Sequence, residues 1–141
     1  MRAFLDTSVL VATFYAEHEC HEPSFALFLR QKKQSGCTAA HCLAEVYSVT
    51  TRMPGKDRAS PDEALLFVDD IRERLSIVAL DPEEYLEMLK EAAAHGILGG
   101  GVYDALAARC AIKAKAEAIY TWNAKHFQRL GTDIEARIKT P

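Results

Sequence analysis

The sequence predicts an α/β fold in which a mainly parallel sheet is covered by helices on both faces. Short apolar segments of strand length alternate with longer segments of helical periodicity along the chain. Two helix starts carry a capping signal, in which Ser60 or Asp81 is followed by Pro and then by Glu at the third helical position. With 141 residues, of which 49% are hydrophobic, the chain is long enough for one domain with its own core.

The first half of the chain is predicted to hold two strands and three helices. Asp6 stops the first apolar run, Thr7 or Ser8 begins an apolar helix, and Pro54 ends the third helix. In order, the predicted elements are a strand at 2–5, a helix from 7 or 8 to about 15, a helix at 23–33, a strand at 36–39 and a helix at 41–53.

The second half is predicted to hold four helices and three strands. Strands that are separated by helices in this way favour parallel pairing, because each parallel connection needs a crossover. In order, the predicted elements are a helix at 61–74, a strand at 76–80, a helix at 82–95, a glycine-rich break at 96–101, an apolar helix at 102–115, a strand at 118–121, a short helix at 125–129 and a last strand at 136–139.

Composition favours a cytoplasmic protein with no membrane partner. No apolar run approaches the roughly 20 residues that a membrane span needs, and Asp6 interrupts any apolar region of a signal peptide. The formal net charge is −3, with acids in excess up to residue 101 and bases in excess after it. This balance does not exclude a nucleic-acid partner, since metal ions can neutralise a cluster of carboxylates.

The cysteines and the glycine run give weaker signals. The four cysteines contain no CxxC pair, so we expect reduced and mostly buried thiols. A zinc site is an alternative, but its spacing matches no recognised finger or ribbon. Its ligands would come from His18, Cys20, His21, Cys37, His41 and Cys42. The glycines at 99–101 lack both phosphate-loop patterns and are interpreted as a hinge.

Three acids do not fit the solvated helix faces and helix starts that account for the others. Asp6 ends an apolar strand, Glu45 lies on a helix with little polar surface, and Asp104 is the only acid of an apolar helix. Each has a structural explanation: Asp6 or Asp104 as a helix cap, and Glu45 as the partner of a buried Arg or Lys. Charges in such surroundings are costly unless they are paired or bound to a metal.

The usual location of functional groups in parallel sheets gives a reason to group these acids. In open parallel sheets, functional groups gather outside the carboxyl ends of the strands, where Asp6 lies and where Asn123 follows a later strand. Oxygen ligands with no matching Arg suit a hard cation such as Mg²⁺ or Mn²⁺. Without the ion, we expect at least one carboxylate to have a raised pKa.

Four segments in this order resemble the PIN-domain ribonucleases, and within them the VapC-type toxins of toxin–antitoxin systems. The segments are FLDTSVL at 4–10, TAAHCLAEVYSVTTR at 38–52, GVYDAL at 101–106 and YTWNAKHF at 120–127, and the end of the chain at 138–141 is similar to the family's last strand. The resemblance covers essentially the whole chain. It implies a three-layer α/β/α PIN-like fold, with a short mainly parallel central sheet flanked by helices, as one domain over 1–141.

The resemblance also implies the site residues. The family's first three acids fall on Asp6, Glu45 and Asp104, and its fourth acidic position falls on Asn123, which is a departure. A carboxamide can still ligate a cation or hold a water, but it brings no charge. The hydroxyls that accompany the carboxylates in the family look like Thr7 or Ser8 and Thr121.

The implied activity is that of an endoribonuclease that depends on Mg²⁺ or Mn²⁺. A metal-activated water would cut the phosphodiester and leave a 5′-phosphate and a 3′-hydroxyl. The resemblance further implies a cognate antitoxin, a homodimer and RNA as substrate, with transfer RNA as the family's example. The helices at 23–33 and 41–53 would be the antitoxin's platform.

Substrate contacts are predicted from charge and aromaticity. Arg52, Lys125 and Arg129 are candidates for phosphate contacts, and Trp122 for stacking on an unpaired base, with a core position for Trp122 as the alternative. His126 is a candidate proton donor, but a surface helix position is the favoured interpretation.

Two other functions compete with this hypothesis. A haloacid-dehalogenase-like phosphatase needs a second Asp two residues after Asp6, where the chain has Ser8. A binding module would keep the same fold with a metal site weakened by Asn123, and would act through protein or RNA contacts.

Overall fold

A five-stranded sheet runs through the protein, whose computed structural model describes residues 2–141. Its strands are β1 (Ala3–Leu5), β2 (Gly36–Ala39), β3 (Ser76–Val78), β4 (Ala118–Tyr120) and β5 (Ile138–Lys139). They lie in the order β3-β2-β1-β4-β5, and every neighbouring pair is parallel. The α/β prediction is confirmed.

The central position of β1 follows from its composition. All three of its residues are buried, and it pairs with β2 through Ala3 and Gly36 and with β4 through Phe4 and Ile119. A strand covered on both faces by helices must be apolar throughout, which agrees with this short apolar run. The strand ends where Asp6 begins the next helix.

Eight helices flank the sheet within residues 2–141. They are α1 (Thr7–Phe14), α2 (His21–Leu29), α3 (Ala40–Thr51), α4 (Pro61–Arg74), α5 (Pro82–Ala94), α6 (Gly101–Lys113), α7 (Ala124–Gln128) and α8 (Thr132–Glu135). The principal helix–helix contacts form two groups. One group links the helices α1, α2, α3 and α4, and the other links α5, α6, α7 and α8. This agrees with a helical layer on each side of the sheet.

Both predicted capping boxes are present. The Ser60 hydroxyl accepts a hydrogen bond from the Glu63 backbone N–H at 3.1 Å, and the Glu63 carboxylate accepts one from the Ser60 N–H at 3.0 Å. Asp81 and Glu84 form the same reciprocal pair at 2.9 Å in both directions. These bonds satisfy N–H groups that the first turns of α4 and α5 would otherwise leave open.

The structure differs from the prediction at α2 and near the C-terminus. Helix α2 begins at His21 and ends at Leu29, because Ser35 then closes a turn by accepting a hydrogen bond from the Lys32 N–H at 3.0 Å. Helix α8 and a 3₁₀ turn at Gly55–Asp57 were not predicted, since segments this short show no periodicity. The last strand is only Ile138–Lys139.

The remaining fold expectations concern the cysteines and the membrane. Cys37, Cys42 and Cys110 are buried and free, and burial raises the pKa of the Cys37 thiol to about 11 and that of Cys42 to about 12. In the part of the chain from residue 2 onward, none of the helices is long and apolar enough to cross a bilayer.

Candidate active site

A cleft of about 380 Å³ lies where the predicted site residues converge. Asp6 directly follows β1 and Asn123 follows β4, while Glu45 comes from α3 and Asp104 from the first turn of α6. All four side chains line this cleft. The position agrees with the rule that functional groups gather beyond the carboxyl ends of parallel strands.

Asp6 is the most deeply placed carboxylate, with 6% of the residue exposed. Its Oδ2 accepts hydrogen bonds from Thr121 Oγ1 at 2.8 Å and from Ser8 Oγ at 3.2 Å. Burial raises the pKa of Asp6, and these hydrogen bonds oppose that rise. Asp6 occupies the N-cap position of α1 without a well-formed side-chain cap, and the backbone N–H groups of Thr7 and Ser8 also lower its pKa.

The same two hydroxyls hold the turn that carries Asn123. Thr121 Oγ1 accepts a hydrogen bond from the Asn123 N–H at 2.9 Å, and Ser8 Oγ accepts one from the Trp122 N–H at 3.0 Å. Each hydroxyl therefore donates to Asp6 and accepts from the turn after β4. This network fixes the position of Asn123 relative to Asp6.

Glu45 is hydrogen-bonded by Thr7, one of the predicted hydroxyls, and lies near His41 rather than near a lysine or arginine. Its Oε1 accepts a hydrogen bond from Thr7 Oγ1 at 3.0 Å and lies 3.7 Å from His41 Nε2, one turn earlier on α3. Its side chain is 36% exposed. Among residues 2–141 it forms no ion pair with a lysine or arginine, so the predicted buried Arg or Lys partner is wrong.

Asp104 is a partly buried carboxylate with a raised pKa. Burial raises its pKa to about 6, and the negative charges of Asp6 and Glu45 add to the rise, whereas His126 and Arg129 oppose it. Its side chain is 27% exposed, and its Oδ2 lies 3.8 Å from His126 Nδ1. Gly100 rather than Asp104 occupies the N-cap of α6, and no side chain caps this helix, so the capping explanation for Asp104 is wrong.

The donor chemistry of the cleft fits a hard cation. Three carboxylates and several hydroxyls face it, and none of the carboxylates is paired with a lysine or arginine within the described chain. No three His, Cys, Asp or Glu side chains of residues 2–141 lie close enough together to hold one ion jointly, which also removes the zinc alternative for these residues. Mg²⁺ ordinarily takes only one or two protein carboxylates and keeps several waters, so the donors still suit it.

The predicted RNA contacts are dispersed. Arg52 is exposed at the end of α3 and Lys125 is exposed on α7, and neither lines the cleft. The Arg129 guanidinium lies beside Gly101, the first residue of α6. A Cβ placed on Gly101 would stand only 2.8 Å from Arg129 Nη2. Arg129 is therefore the one of these three bases close enough to Asp104 to affect its pKa.

Trp122 is held against the core. Its Nε1 donates a hydrogen bond to Ser24 Oγ at 2.8 Å, and Ser24 is fully buried. The indole packs on the hydrophobic core and is partly covered. This arrangement supports the core position that was the alternative for Trp122 rather than base stacking.

Sequence reasoning passed over Tyr103 and undervalued His126. Tyr103 lines the cleft, and its ring stacks on that of His41 with centroids 4.9 Å apart and an angle of 9°. His126 also lines the cleft, although it is largely exposed. The only signal for Tyr103 was its position next to Asp104; the contact with His41 joins two distant helices, and no local pattern predicts it.

Comparison with known proteins identifies the family of this chain. The sequence-family model of the PIN domain matches residues 3–132 of this chain. Ribonuclease VapC40 of Mycobacterium tuberculosis is 34% identical over 133 residues, which cover 92% of this chain and 95% of the relative. Ribonuclease VapC27 of the same organism is 33% identical over 114 residues, 80% of this chain and 79% of the relative.

Solved structures agree with the architecture. VapC20 of Mycobacterium tuberculosis, a sarcin–ricin-loop-cleaving toxin, superposes with a TM-score of 0.70 at 17% identity, covering 88% of this chain and 92% of that one. VapBC2 of Rickettsia felis, bound to a promoter DNA fragment, gives 0.66 at 20% identity, covering 99% and 98%. On the family match and the two VapC relatives, the chain belongs to the PIN domain family.

Proposed function

We propose that the protein is a metal-dependent endoribonuclease that hydrolyses RNA phosphodiester bonds with water as the nucleophile. The observation that carries the proposal is that Asp6, Glu45 and Asp104, which are far apart in the chain, line one cleft with no lysine or arginine paired to them. The two VapC relatives above 30% identity, both named ribonucleases, support the reaction class.

The cation of this proposal is Mg²⁺ or Mn²⁺, with Asp6, Glu45 and Asp104 as its ligands, one or two bound to the ion directly and the rest through its waters. When bound, it would supply Lewis-acid activation of water and neutralise charge on the phosphate. Ser8 and Thr121 orient the Asp6 carboxylate through hydrogen bonds, and Thr7 orients Glu45 in the same way. Asn123 offers a carboxamide oxygen without charge at the fourth position.

Cleavage assays with Mg²⁺, with Mn²⁺ and with chelator test this proposal. We expect the wild type to cut RNA only with the cation, and Asp6→Ala and Asp104→Asn to lower the rate by roughly 10²- to 10³-fold, because each loses a charged ligand. Asp69→Asn, which changes an exposed acid on α4 outside the cleft, is the matched control and should retain activity. Wild-type cleavage by Asp6→Ala would contradict the proposal.

Calorimetric titration with Mn²⁺ separates the nuclease from a binding module. A module with a weakened metal site would show no Mn²⁺ binding that depends on Asp6 and Asp104. For the nuclease, we expect binding by the wild type and by Asp69→Asn, and loss of binding in Asp6→Ala.

We infer that the enzyme is the toxin of a VapBC-type pair, with a cognate antitoxin as partner and a homodimer as its assembly. The VapC relatives and the likeness to VapBC structures support the toxin and its antitoxin partner, while the homodimer is what the family resemblance implies. Part of the predicted platform exposes large apolar side chains, at Phe25 and Leu29 on α2 and at Tyr47 on α3. Transfer RNA is the first substrate to test.

Co-expression with a candidate antitoxin tests the pairing. The Phe25→Asp/Leu29→Asp double variant should lose the co-purified partner and keep RNA cleavage. Leu65→Asp/Leu66→Asp on α4, equally exposed but outside the predicted platform, is the control and should keep the partner. The same loss in both double variants would argue against an α2 platform.

A further inference from the structure

We propose that His41 and Tyr103 form an aromatic platform on which an unpaired RNA base stacks beside the carboxylates. This inference rests on the proposed nuclease function and adds to it a substrate-positioning surface. Its starting point is the near-parallel stack of the two rings, with an angle of 9° and centroids 4.9 Å apart.

The platform is built from the same elements as the carboxylates. His41 lies in the first turn of α3, one turn before Glu45, and Tyr103 lies in the first turn of α6, directly before Asp104. His41 Nε2 is also 3.7 Å from Glu45 Oε1. The two rings are therefore fixed relative to the carboxylates by two rigid helices and not by loops.

One face of the Tyr103 ring remains available. Tyr103 lines the cleft and is 50% exposed, although His41 covers one face of its ring. We assign the base to the ring face opposite His41, the face that this stack leaves uncovered. An aromatic ring that is backed by a second ring and open on its other side matches the stacking platforms that bind single-stranded nucleic acid.

The chemistry favours an unpaired base as the occupant. Stacking tolerates any base, since every base has a π face, and only unpaired bases are free to leave their own stack. A base on Tyr103 would lie in the cleft that Asp104 also lines. Trp122, the stacking residue expected from sequence, is instead bonded to Ser24. Of the two aromatic rings that line the cleft, Tyr103 is backed by a second ring, whereas His126 is paired with Asp104.

Fluorescence anisotropy with labelled oligoadenylate, about ten nucleotides long and in chelator at low ionic strength, tests the platform. We expect Tyr103→Leu to bind roughly 5- to 150-fold more weakly than the wild type, the range for loss of one stacked base. Tyr103→Phe keeps the ring and should bind within twofold of the wild type. Tyr85→Leu, at a tyrosine of similar exposure on α5, is the control and should also bind normally.

A second measurement changes the nucleic acid as well as the protein. With the wild type, oligoadenylates that carry a single abasic position should show one position at which affinity falls, and Tyr103→Leu should be insensitive there. Equal binding of Tyr103→Leu and Tyr85→Leu, equal loss in Tyr103→Phe and Tyr103→Leu, or no binding by the wild type would overturn the platform.

The two proposals fail separately because this binding is measured without a cation. If the wild type cuts RNA but Tyr103→Leu binds and cuts normally, the platform is wrong and the nuclease stands. If no cation supports cleavage but binding still requires the Tyr103 ring, the nuclease is wrong and the platform stands.

Discussion

Asp104 combines partial burial with two like-charged neighbours. Its pKa lies near 6 instead of 3.8, first because burial disfavours the charged form and then because Asp6 and Glu45 repel it. The folded chain therefore disfavours the ionised form of Asp104 more than the unfolded chain does. A cation in the cleft would offset the repulsion among these carboxylates.

This shift predicts the pH dependence of stability in chelator. Between pH 3.8 and about 6 the folded chain retains a proton that the unfolded chain has lost, so the free energy of unfolding falls as pH rises through this interval. Asp104→Asn should flatten the profile and be more stable at pH 7 by about 1 kcal/mol, a value reduced for solvent screening. Urea unfolding at several pH values measures this.

Asp69→Asn is the control for this pH series. Asp69 is exposed and forms only a surface pair with Arg72 at 3.9 Å, so its replacement should leave the slope with pH unchanged. A decrease in the stability of Asp104→Asn at pH 7 would contradict the electrostatic account.

The buried hydroxyl of Thr121 leads to a prediction about both RNA cleavage and stability. Thr121→Val removes a buried hydroxyl that donates to Asp6 and accepts from Asn123, so we expect RNA cleavage to fall and the free energy of unfolding to drop by about 1–3 kcal/mol. The control is Thr50→Val, an equally buried threonine whose hydroxyl bonds only to helix carbonyls of α3. Kinetics and urea unfolding of both variants should show loss of activity in Thr121→Val alone.

Helix α4 shows what a local signal contributes to a helix. Ser60→Ala removes the cap and should lower the free energy of unfolding by about 1 kcal/mol, while Ser60→Asp should restore it. Neither change should alter RNA cleavage, because α4 supplies no residue to the cleft. Thermal unfolding and the cleavage assay measure the two effects, and equal stability of the two variants would contradict the assignment.

Helices were predictable where the chain carries such caps. The starts of α4 and α5 match the prediction because Ser60 and Asp81 bond to their own third helical residues, which is a local interaction. The end of α2 was not predictable in this way, since it depends on a turn closed by Ser35. Short segments such as α8 form because packing holds them, and their sequence shows no period.

The topology of the whole fold decides which parts of the site could be predicted from the sequence. Asp6 and Asn123 follow strands, so parallel topology alone predicts that they meet at one sheet edge. Their roles as ligands and catalytic groups remain predictions. The network through Ser8 and Thr121, and the stack of His41 on Tyr103, arise only when distant segments pack, and no local pattern encodes them.

Binding of a cation should stabilise the whole protein. If Mn²⁺ binds the folded chain alone, a concentration 100-fold above Kd adds about 2.7 kcal/mol to the free energy of unfolding and raises Tm. Asp6→Ala and Asp104→Asn should lose this rise, and Asp69→Asn should keep it. A wild-type Tm that does not respond to Mn²⁺ would argue against the metal site, whatever the cleavage assay gives.

The strand order also bears on when the protein becomes active during its synthesis. The central strand β1 is made first, yet one of its two neighbours, β4, begins at residue 118. A ribosome that has made the first hundred residues has therefore produced neither the second hydrogen-bonding neighbour of β1 nor Asp104. If the protein is the nuclease proposed above, we expect a nascent chain of this length to lack cleavage activity, because Asp104 and the turn after β4 are not yet made.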